Sequence, residues 1–392
     1  MESLECAEFD QLRNAAERPM GYVQEWKQRS AGKAIGSFPM NFPSEIIHAT
    51  GALPVIVQES RSPITEGRSL LPEFYCGYTR SIADQISVGE LEALDGFVLV
   101  DHCVQLLGAV DVIRWARPDK PVGFAQFISS MDDPWSPGQV RDKISSICQE
   151  LEEITGVGVE TSALTRSIGL YNANRALLRE FYELRSAGKL NVPAAQLQVL
   201  VKSSMIMDIE EHTALLRILR DRLETRIQSP DSAIRLHLSG HYCAAPRPEL
   251  LELIEECDVV VINDDLYHGN RYISTDVPRG EDPFTALAAW YLERNVKAPC
   301  GTRVQLNVDW QSYLVDSLRE TGAEGVITLM AKFCEPLMLY YPELRKTLAE
   351  QDIPELLIET EHDGLPAESI RTTVETFVER IRRQRTRILS HV

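Results

Sequence analysis

The stretch ALDGFVLVDHCVQLLGAVDVI, residues 93–113, decides how this sequence folds. Its apolar run 97–100 is typical of a buried strand, and an amphipathic helical pattern begins directly after Cys103. A buried strand followed at once by a helix is the repeating unit of a parallel α/β sheet. Open α/β sheets bind ligands at the carboxyl ends of their strands, which is where Cys103 stands. This thiol is therefore either a small buried hydrophobe or a working ligand.

The same alternation of strand and helix recurs on both sides of this stretch. It favours largely parallel sheets that are covered by helices. Residues 160–228 show helical spacing alone. Because 392 residues exceed one ordinary core, we predict an N-terminal α/β domain at 1–159, a helical connector at 160–228 and a C-terminal α/β domain at 229–392.

Composition excludes several classes of partner. The chain has 40 Lys and Arg against 58 Asp and Glu, a net charge of −18, which argues against nucleic-acid and anionic-membrane surfaces. No apolar run reaches the roughly 18 residues of a membrane span, and the first residues lack a signal-peptide pattern. We therefore expect a cytoplasmic protein without nucleic-acid or membrane partners. Neither a G-x-G-x-x-G motif nor a P-loop occurs, so neither device for binding NAD or ATP is expected in this chain.

The eight cysteines divide by their position in the strand and helix pattern. In a cytoplasmic protein they are expected to be mostly reduced, and none forms a C-x-x-C pair. Three follow predicted strands (Cys103, Cys243, Cys334), and Cys76 lies in a loop before a helix. Helix N-termini at such an edge are expected to lower the thiol pKa values and favour thiolates. The pattern fits either a metal site in the cleft between the domains or a chance placement of thiols.

Several segments occur in an order that resembles one protein family. They are AIGSFPMNFPSEIIHATGALPV (34–55), FYCGYTRS (74–81), the opening stretch itself, SGHYC (239–243) and AKFCEP (331–336). Together they resemble the 2-hydroxyacyl-CoA dehydratase and benzoyl-CoA reductase superfamily over roughly residues 20–380. Within it, the SGHYC and AKFCEP segments are most similar to the subunit designated C in ATP-dependent benzoyl-CoA reductase.

The resemblance implies a fold and a cofactor. Subunits of this superfamily have two flavodoxin-like or Rossmann-like domains with parallel sheets and a [4Fe–4S] cluster in the interdomain cleft. Three cysteines from separate loops hold the cluster, and the matching positions here are Cys76, Cys103 and Cys334. The fourth position in the family is not a cysteine. Cys243 is then expected as a substrate-contacting residue of the cleft or as a spare ligand.

The resemblance also implies a reaction and partners. The expected function is low-potential, one-electron reduction of an aromatic acyl-CoA thioester through a ketyl-type radical, as in benzoyl-CoA reductase. One alternative is a 2-hydroxyacyl-CoA dehydratase subunit, in which the same radical expels water and yields an enoyl-CoA. Others are an electron-relay or scaffold subunit and an α/β protein with buried cysteines and no metal. Expected partners are an acyl-CoA, a homologous second subunit and a separate activator that hydrolyses ATP and donates electrons.

Three further residues are candidates for the substrate site. Ser37 is expected to hydrogen-bond the thioester carbonyl and Glu45 to move a proton, although these residues suit a loop cap and a helix's first turn equally well. Arg271 is expected to meet either a CoA phosphate or a neighbouring carboxylate. The sequence leaves the identity of the acyl group open.

Overall fold

The computed structural model describes residue 4 and residues 6–40, 42–190, 192–223, 233–280 and 282–389. The predicted junction between the connector and the C-terminal domain, at 228 and 229, lies outside these residues. Among the described helices, none is long and apolar enough to cross a membrane.

Two four-stranded sheets organise the chain, and every strand pair in them is parallel. The first sheet has the order β2-β1-β3-β4 and the second the order β6-β5-β7-β8, so both have the same topology. The prediction of two α/β units with parallel sheets is thereby confirmed. The strands are β1 (Ala34–Ser37), β2 (Leu53–Ile56), β3 (Gly96–Val100), β4 (Val122–Ala125), β5 (Ile234–Gly240), β6 (Val259–Asp264), β7 (Gly325–Ala331) and β8 (Glu355–Thr360).

Buried apolar residues pack against both faces of each sheet, which is why the central strand β3 is apolar along its whole length. All five residues of β3 are buried. The helices are α1 (Ala7–Glu17), α2 (Pro19–Ser30), α3 (Ser44–Ala49), α4 (Gly67–Leu70), α5 (Gly77–Ser87), α6 (Val104–Ala116), α7 (Ser136–Thr155), α8 (Thr161–Ser186), α9 (Ala194–Ser204), α10 (Ile209–Leu223), α11 (Pro248–Glu256), α12 (Asn270–Ile273), α13 (Pro283–Lys297), α14 (Trp310–Thr321), α15 (Glu335–Glu350) and α16 (Ala367–Leu389).

The long helix α8 forms two buried ion pairs, one with each of the two domains. Near its middle, Arg175 Nη1 lies 2.8 Å from Glu45 Oε1 in α3. Ten residues later, Arg185 pairs with Glu255 of α11 and donates to the Val261 carbonyl of β6. Removing one partner of such a pair leaves an uncompensated buried charge, so each pair fixes where α8 can lie. The helix therefore sets the spacing of the two domains.

A second contact between the domains joins the loops that follow β2 and β8. His362 Nδ1 lies 2.7 Å from Glu59 Oε1, and His362 Nε2 lies 2.9 Å from the Ser62 carbonyl oxygen. Burial lowers the pKa of His362, but the hydrogen bond and charge of Glu59 outweigh it, and the net pKa is raised. This pair is close to the cleft, because the His362 side chain lies against Gly77 at the start of α5.

The Glu59–His362 pair should stabilise the protein in a pH-dependent way. A raised histidine pKa contributes stability that is complete below the unfolded value of about 6.5 and disappears as pH rises through the folded value. Glu59→Gln should therefore cost about 1–2 kcal/mol of unfolding free energy at pH 6 and clearly less at pH 9. Urea unfolding at both pH values measures the difference. The control is Glu379→Gln in the exposed Arg383–Glu379 pair of α16, which should change stability by less than about 0.5 kcal/mol at both pH values. An equal cost of Glu59→Gln at pH 6 and pH 9 would contradict the expectation.

Candidate functional site

Three of the predicted cysteines follow central strands at the edge where open α/β sheets bind ligands. Cys103 comes three residues after β3, Cys243 three after β5 and Cys334 three after β7. In a 2-1-3-4 strand order the connections that follow the first and third strands run to opposite sides of the sheet, so a crevice opens at the carboxyl ends of these two strands. The crevices of the two sheets face one another. Cys76 lies at the end of the loop between α4 and α5, and together with the other three thiols it lines one cavity of about 30 Å³.

The three cysteines of the predicted ligand set share one local geometry. Cys76, Cys103 and Cys334 are the N-cap residues of α5, α6 and α15 respectively. Each of these helices has its N-terminus, where unpaired N–H groups carry partial positive charge, beside a cavity thiol. An anionic group in this cavity would therefore be stabilised from three directions.

Burial nevertheless decides the protonation state of these thiols. Desolvation raises the pKa of Cys103 to about 12, although the backbone N–H groups of Gln105 and Leu106 act to lower it. It likewise raises the pKa of Cys76, Cys334 and Cys243. The prediction that helix N-termini leave these thiols with lowered pKa values is therefore wrong, because loss of water outweighs the helix dipoles. In the metal-free protein the thiols are protonated near neutral pH, and any metal that binds them must displace protons.

The side chain of Gln105 connects the loops of three cavity cysteines. It lies in the first turn of α6, two residues after Cys103, and is 5% exposed. Its Oε1 accepts a hydrogen bond from the Cys76 N–H at 2.6 Å, and its Nε2 donates to the Phe333 carbonyl at 2.8 Å. One side chain thus holds a loop of the first domain and a loop of the second at fixed distances from α6.

Backbone strain collects at the same sheet edges. Met40 after β1, His241 after β5 and Phe333 after β7 have φ values of 88°, 40° and 64°, which non-glycine residues adopt at a cost of about 1 kcal/mol or more. Gly240 precedes His241 with φ of 107°, and a Cβ there would overlap the Leu329 carbonyl oxygen. Only glycine fits that position, and the turn it permits carries Tyr242 and Cys243 into the cleft.

A sequence profile for the family described as 2-hydroxyglutaryl-CoA dehydratase, D-component, matches residues 39–381. The chain belongs to this family. The match covers strands β2 to β8 and all four cavity cysteines, and it confirms the resemblance to the 2-hydroxyacyl-CoA dehydratase and benzoyl-CoA reductase superfamily.

Individual relatives cover nearly the whole chain at low identity. The (R)-phenyllactyl-CoA dehydratase beta subunit of Clostridium sporogenes is 26% identical over 95% of this chain and 98% of its own length. The benzoyl-CoA reductase subunit designated C, from Thauera aromatica, is 24% identical over 92% of this chain and 94% of its own. The lactoyl-CoA dehydratase beta subunit of Anaerotignum propionicum is 26% identical over 95% of this chain and 98% of its own length. These similarities support an enzyme-related subunit but do not choose between dehydratase and reductase.

The predicted substrate residues Ser37 and Glu45 lie apart from the residues that line the thiol cavity. Ser37 ends β1 and is fully buried, and its Oγ has no hydrogen-bond partner among the described residues. Glu45, 1% exposed, is in the first turn of α3 and forms the ion pair with Arg175. Their roles toward a thioester stay predictions.

Arg271 is enclosed by protein groups. Its Nε donates to the Asp265 carbonyl at 2.8 Å, and its Nη1 donates to the carbonyls of Ala298 and Pro299 at 2.6 and 2.8 Å. Its Nη2 lies 3.9 Å from Asp265 Oδ1. Of the two predicted roles, contact with a neighbouring carboxylate is the one found; contact with a CoA phosphate stays a prediction.

Sequence reasoning found only the cysteines of the cavity lining; His102, Gln105 and Tyr242 are among the lining residues that it missed. The sequence did contain one indication for Gln105, because it lies two residues after the candidate ligand Cys103. Residues in the first turn of a helix lie next to the same space as the N-cap residue. Tyr242 is 2% exposed, and its hydroxyl has no hydrogen-bond partner within the described ranges. A buried phenol usually finds a partner in the protein, so this hydroxyl marks the cavity as a place where another group would be accommodated.

The thiols share a cavity without forming a site for one metal ion. Over the described part of the chain, no group of three or more His, Cys, Asp or Glu side chains is arranged to hold a metal ion. Four thiols from four separate loops, around a space with three helix N-termini, are nevertheless the donor type that iron–sulfur clusters require. The donor set therefore fits a polynuclear group better than a single ion.

Removing the Gln105 bridge should destabilise the metal-free protein. Gln105→Leu leaves the Cys76 N–H and the Phe333 carbonyl without their partner, so we expect a loss of about 2–4 kcal/mol in unfolding free energy. Guanidinium unfolding under anaerobic conditions measures it. Gln149→Leu on the exposed face of α7 is the matched control and should change stability by less than about 0.5 kcal/mol. If the two variants have equal stabilities, Gln105 does not hold the loops.

Proposed function

We propose that this chain is the [4Fe–4S] cluster-binding subunit of a benzoyl-CoA reductase-like enzyme, which reduces an aromatic acyl-CoA thioester by single electrons at low potential. The observation that carries the proposal is the meeting of Cys76, Cys103 and Cys334 from both domains at one cavity. Their order in the sequence matches the three ligands that the family resemblance implies. Family membership and relatives that act on CoA thioesters support the same reaction class.

The residues of the cavity suit a low-potential cluster in two respects. Thiolate ligands and removal from water both lower the reduction potential of iron–sulfur clusters, and the cavity thiols are strongly desolvated. A bound cluster would supply one electron at a time to an acyl-CoA thioester. The protein's own part is to hold its ligands, which Gln105 does for two loops, and to exclude water.

The polar groups proposed for the substrate lie on the first domain. Ser37 Oγ has an unused hydrogen bond among the described residues, which suits donation to a thioester carbonyl. Glu45 is held by Arg175 at 2.8 Å, so a proton transfer through this carboxylate would require that ion pair to loosen. Arg271, from the second domain, has its Nη2 without a hydrogen-bond partner among the described residues, but it is buried, so contact with a CoA phosphate would require the surrounding loops to open. Ser37 is fully buried, so this role would likewise require the residues that cover it to move.

The proposed partners are an acyl-CoA, a homologous second subunit and an activator that hydrolyses ATP. The relatives are themselves named as subunits. Apolar side chains close to the cavity cysteines support a protein partner at this face: Phe74, Val104 and Leu339 are 61%, 64% and 76% exposed. Each lies within five residues of Cys76, Cys103 or Cys334, and exposed apolar groups gathered near a site are typical of interfaces.

A second candidate function is a 2-hydroxyacyl-CoA dehydratase subunit. It is favoured by the matched family profile and by the phenyllactyl-CoA and lactoyl-CoA dehydratase subunits among the relatives. The proposed ligands and partners are the same, but the reaction ends in loss of water and formation of an enoyl-CoA, and electrons are recycled.

Iron content tests the ligand set. Anaerobic reconstitution of the purified chain should give about four iron and four sulfide per chain. Cys76→Ala, Cys103→Ala and Cys334→Ala should each lose most of this iron, because each removes a thiolate ligand. Cys148→Ala, in the apolar cluster beside the first sheet, is the matched control and should keep it. Full iron retention in all three cleft variants would rule out the proposed ligands.

Product analysis separates the two reactions. The chain is combined with its sister subunit, activator, ATP and a strong reductant, and is given benzoyl-CoA or a 2-hydroxyacyl-CoA. A dienoyl-CoA formed with ATP consumed in proportion supports the reductase. An enoyl-CoA formed after ATP is used only for activation supports the dehydratase instead. Failure to convert either thioester with an iron-loaded complex would contradict both.

A further inference from the structure

We infer that a second cavity, which adjoins the thiol cavity, binds an oxyanion of the phosphate type. This cavity has a volume of about 60 Å³ and lies between the two domains. Its walls are the loops after β2, β5, β7 and β8 together with the starts of α5 and α11. We call it the arginine cavity, after Arg80 of the first domain and Arg247 of the second. The inference goes beyond the proposed function and does not require a bound cluster.

Charge is the first argument. Besides its two arginines, the arginine cavity is lined by Lys332 and by two carboxylates. Both carboxylates are already paired, because Glu361 lies 2.6 Å from Lys332 and Glu59 lies 2.7 Å from His362. No other Asp or Glu is among the described residues of its lining. The two guanidinium groups are therefore left with uncompensated positive charge.

The contacts of the two guanidinium groups are the second argument. Arg80 Nε donates to the Tyr75 carbonyl at 3.1 Å, and Arg247 Nη2 donates to the His362 carbonyl. Among the described residues these carbonyls are their only hydrogen-bond partners, and neither arginine forms an ion pair. The remaining N–H groups are thus available to a ligand. Planar guanidinium groups bind phosphate through paired, charge-assisted hydrogen bonds, which is the chemistry that this pair of arginines offers.

The gathering of like charges is the third argument. The positive charge of Arg80 acts to lower the pKa of Lys332, although the hydrogen bond and charge of Glu361 outweigh it and the net pKa is raised. Two cations from different domains are therefore close enough to repel one another. In a chain whose net charge is −18, a local excess of positive charge in a cavity attracts small anions.

A buried histidine is the fourth argument. His241 lines the arginine cavity and is 3% exposed, and its Nδ1 has no hydrogen-bond partner among the described residues. The Ala244 carbonyl acts on the ring without completing a hydrogen bond. Burial lowers the pKa of His241 to about 4, so the ring carries a single proton. Its Nε2 lies 2.7 Å from Thr360 Oγ1, and donation by that hydroxyl leaves the ring proton on Nδ1, where it can bond an acceptor in the cavity.

The size and position of the cavity limit what binds there. One buried water needs about 10–15 Å³, so 60 Å³ accommodates a tetrahedral oxyanion with a few waters. A larger ligand could place only a terminal phosphate in it. The arginine cavity shares Tyr78, Ala244 and Ala331 with the thiol cavity, so the oxyanion would bind next to the thiols and contact both domains. Its binding should stabilise the placement of the two domains by mass action.

Calorimetric titration of the metal-free full chain with inorganic phosphate tests the site. Ionic strength is held constant with sodium chloride, so that general screening does not change during the titration. Wild type should bind phosphate saturably. Arg80→Gln and Arg247→Gln should each weaken binding by about tenfold, the effect of losing charge-assisted hydrogen bonds. Arg217→Gln removes the same charge from the exposed face of α10 and should match wild type; an equal loss in all three variants overturns the inference.

A variant that should bind phosphate more tightly guards against loss of binding through misfolding. Glu361→Gln releases Lys332 from its ion pair and removes a negative charge from the cavity lining, so phosphate affinity should rise severalfold. The matched control is Glu379→Gln, which removes the same charge from the exposed Arg383–Glu379 pair of α16 and should leave the affinity unchanged. Equal affinities of these two variants would contradict the inference.

Crystals soaked in arsenate locate the site, because arsenic in this phosphate analogue scatters anomalously. A peak between Arg80 and Arg247 supports the inference, and arsenate bound only elsewhere overturns it.

Competition identifies the source of the oxyanion. If CoA displaces phosphate and dephospho-CoA does not, the cavity takes the terminal phosphate of a larger ligand; if neither displaces it, the cavity takes the free ion. Absence of saturable phosphate binding, together with CoA binding that is the same in wild type and Arg247→Gln, overturns the site. These measurements use protein without iron, so their failure leaves the proposed cluster and reaction untouched.

Discussion

The Gln105 amide bonds to both sides of the cleft, and the arrangement of the cavity depends on it. It accepts from the Cys76 N–H and donates to the Phe333 carbonyl, so it ties the first domain's loop to the residue before Cys334. Its own position follows from Cys103, because both belong to the start of α6. A side chain with one donor and one acceptor group satisfies both loops at once, which neither an apolar residue nor a hydroxyl of shorter reach would do.

Two opposing effects act on the thiols that this bridge holds together. Three helix N-termini stabilise negative charge at the cavity, whereas burial disfavours it, and burial wins for the free thiols. Thiolates in this cavity would therefore require a positively charged ligand, such as a metal ion, to compensate their charge.

Much of this arrangement could be predicted from the chain. The strand at 97–100 and the helix after it are visible because a strand buried on both faces must be apolar throughout. Cys103, Cys243 and Cys334 could be selected because each follows such a strand. For Gln105 the sequence offers one signal, its position two residues after Cys103, and that signal does not show which groups its amide bonds. Tyr242 could not be selected, since a tyrosine in a loop has many ordinary uses. Arg271 was assigned two roles from its sequence context, and only the carbonyl and carboxylate positions around it show how its guanidinium is used.

By itself the sequence determined the elements and their order, because local apolar periodicity and the placement of strand ends are properties of neighbouring residues. It also determined family membership, through motifs whose order survives at 24–26% identity. Only the tertiary structure decided that four thiols from four loops meet in one cavity, that burial outweighs the helix dipoles, and that Gln105 joins the loops. These facts depend on contacts between residues more than 200 positions apart, and such contacts follow from how the two sheets are placed against one another.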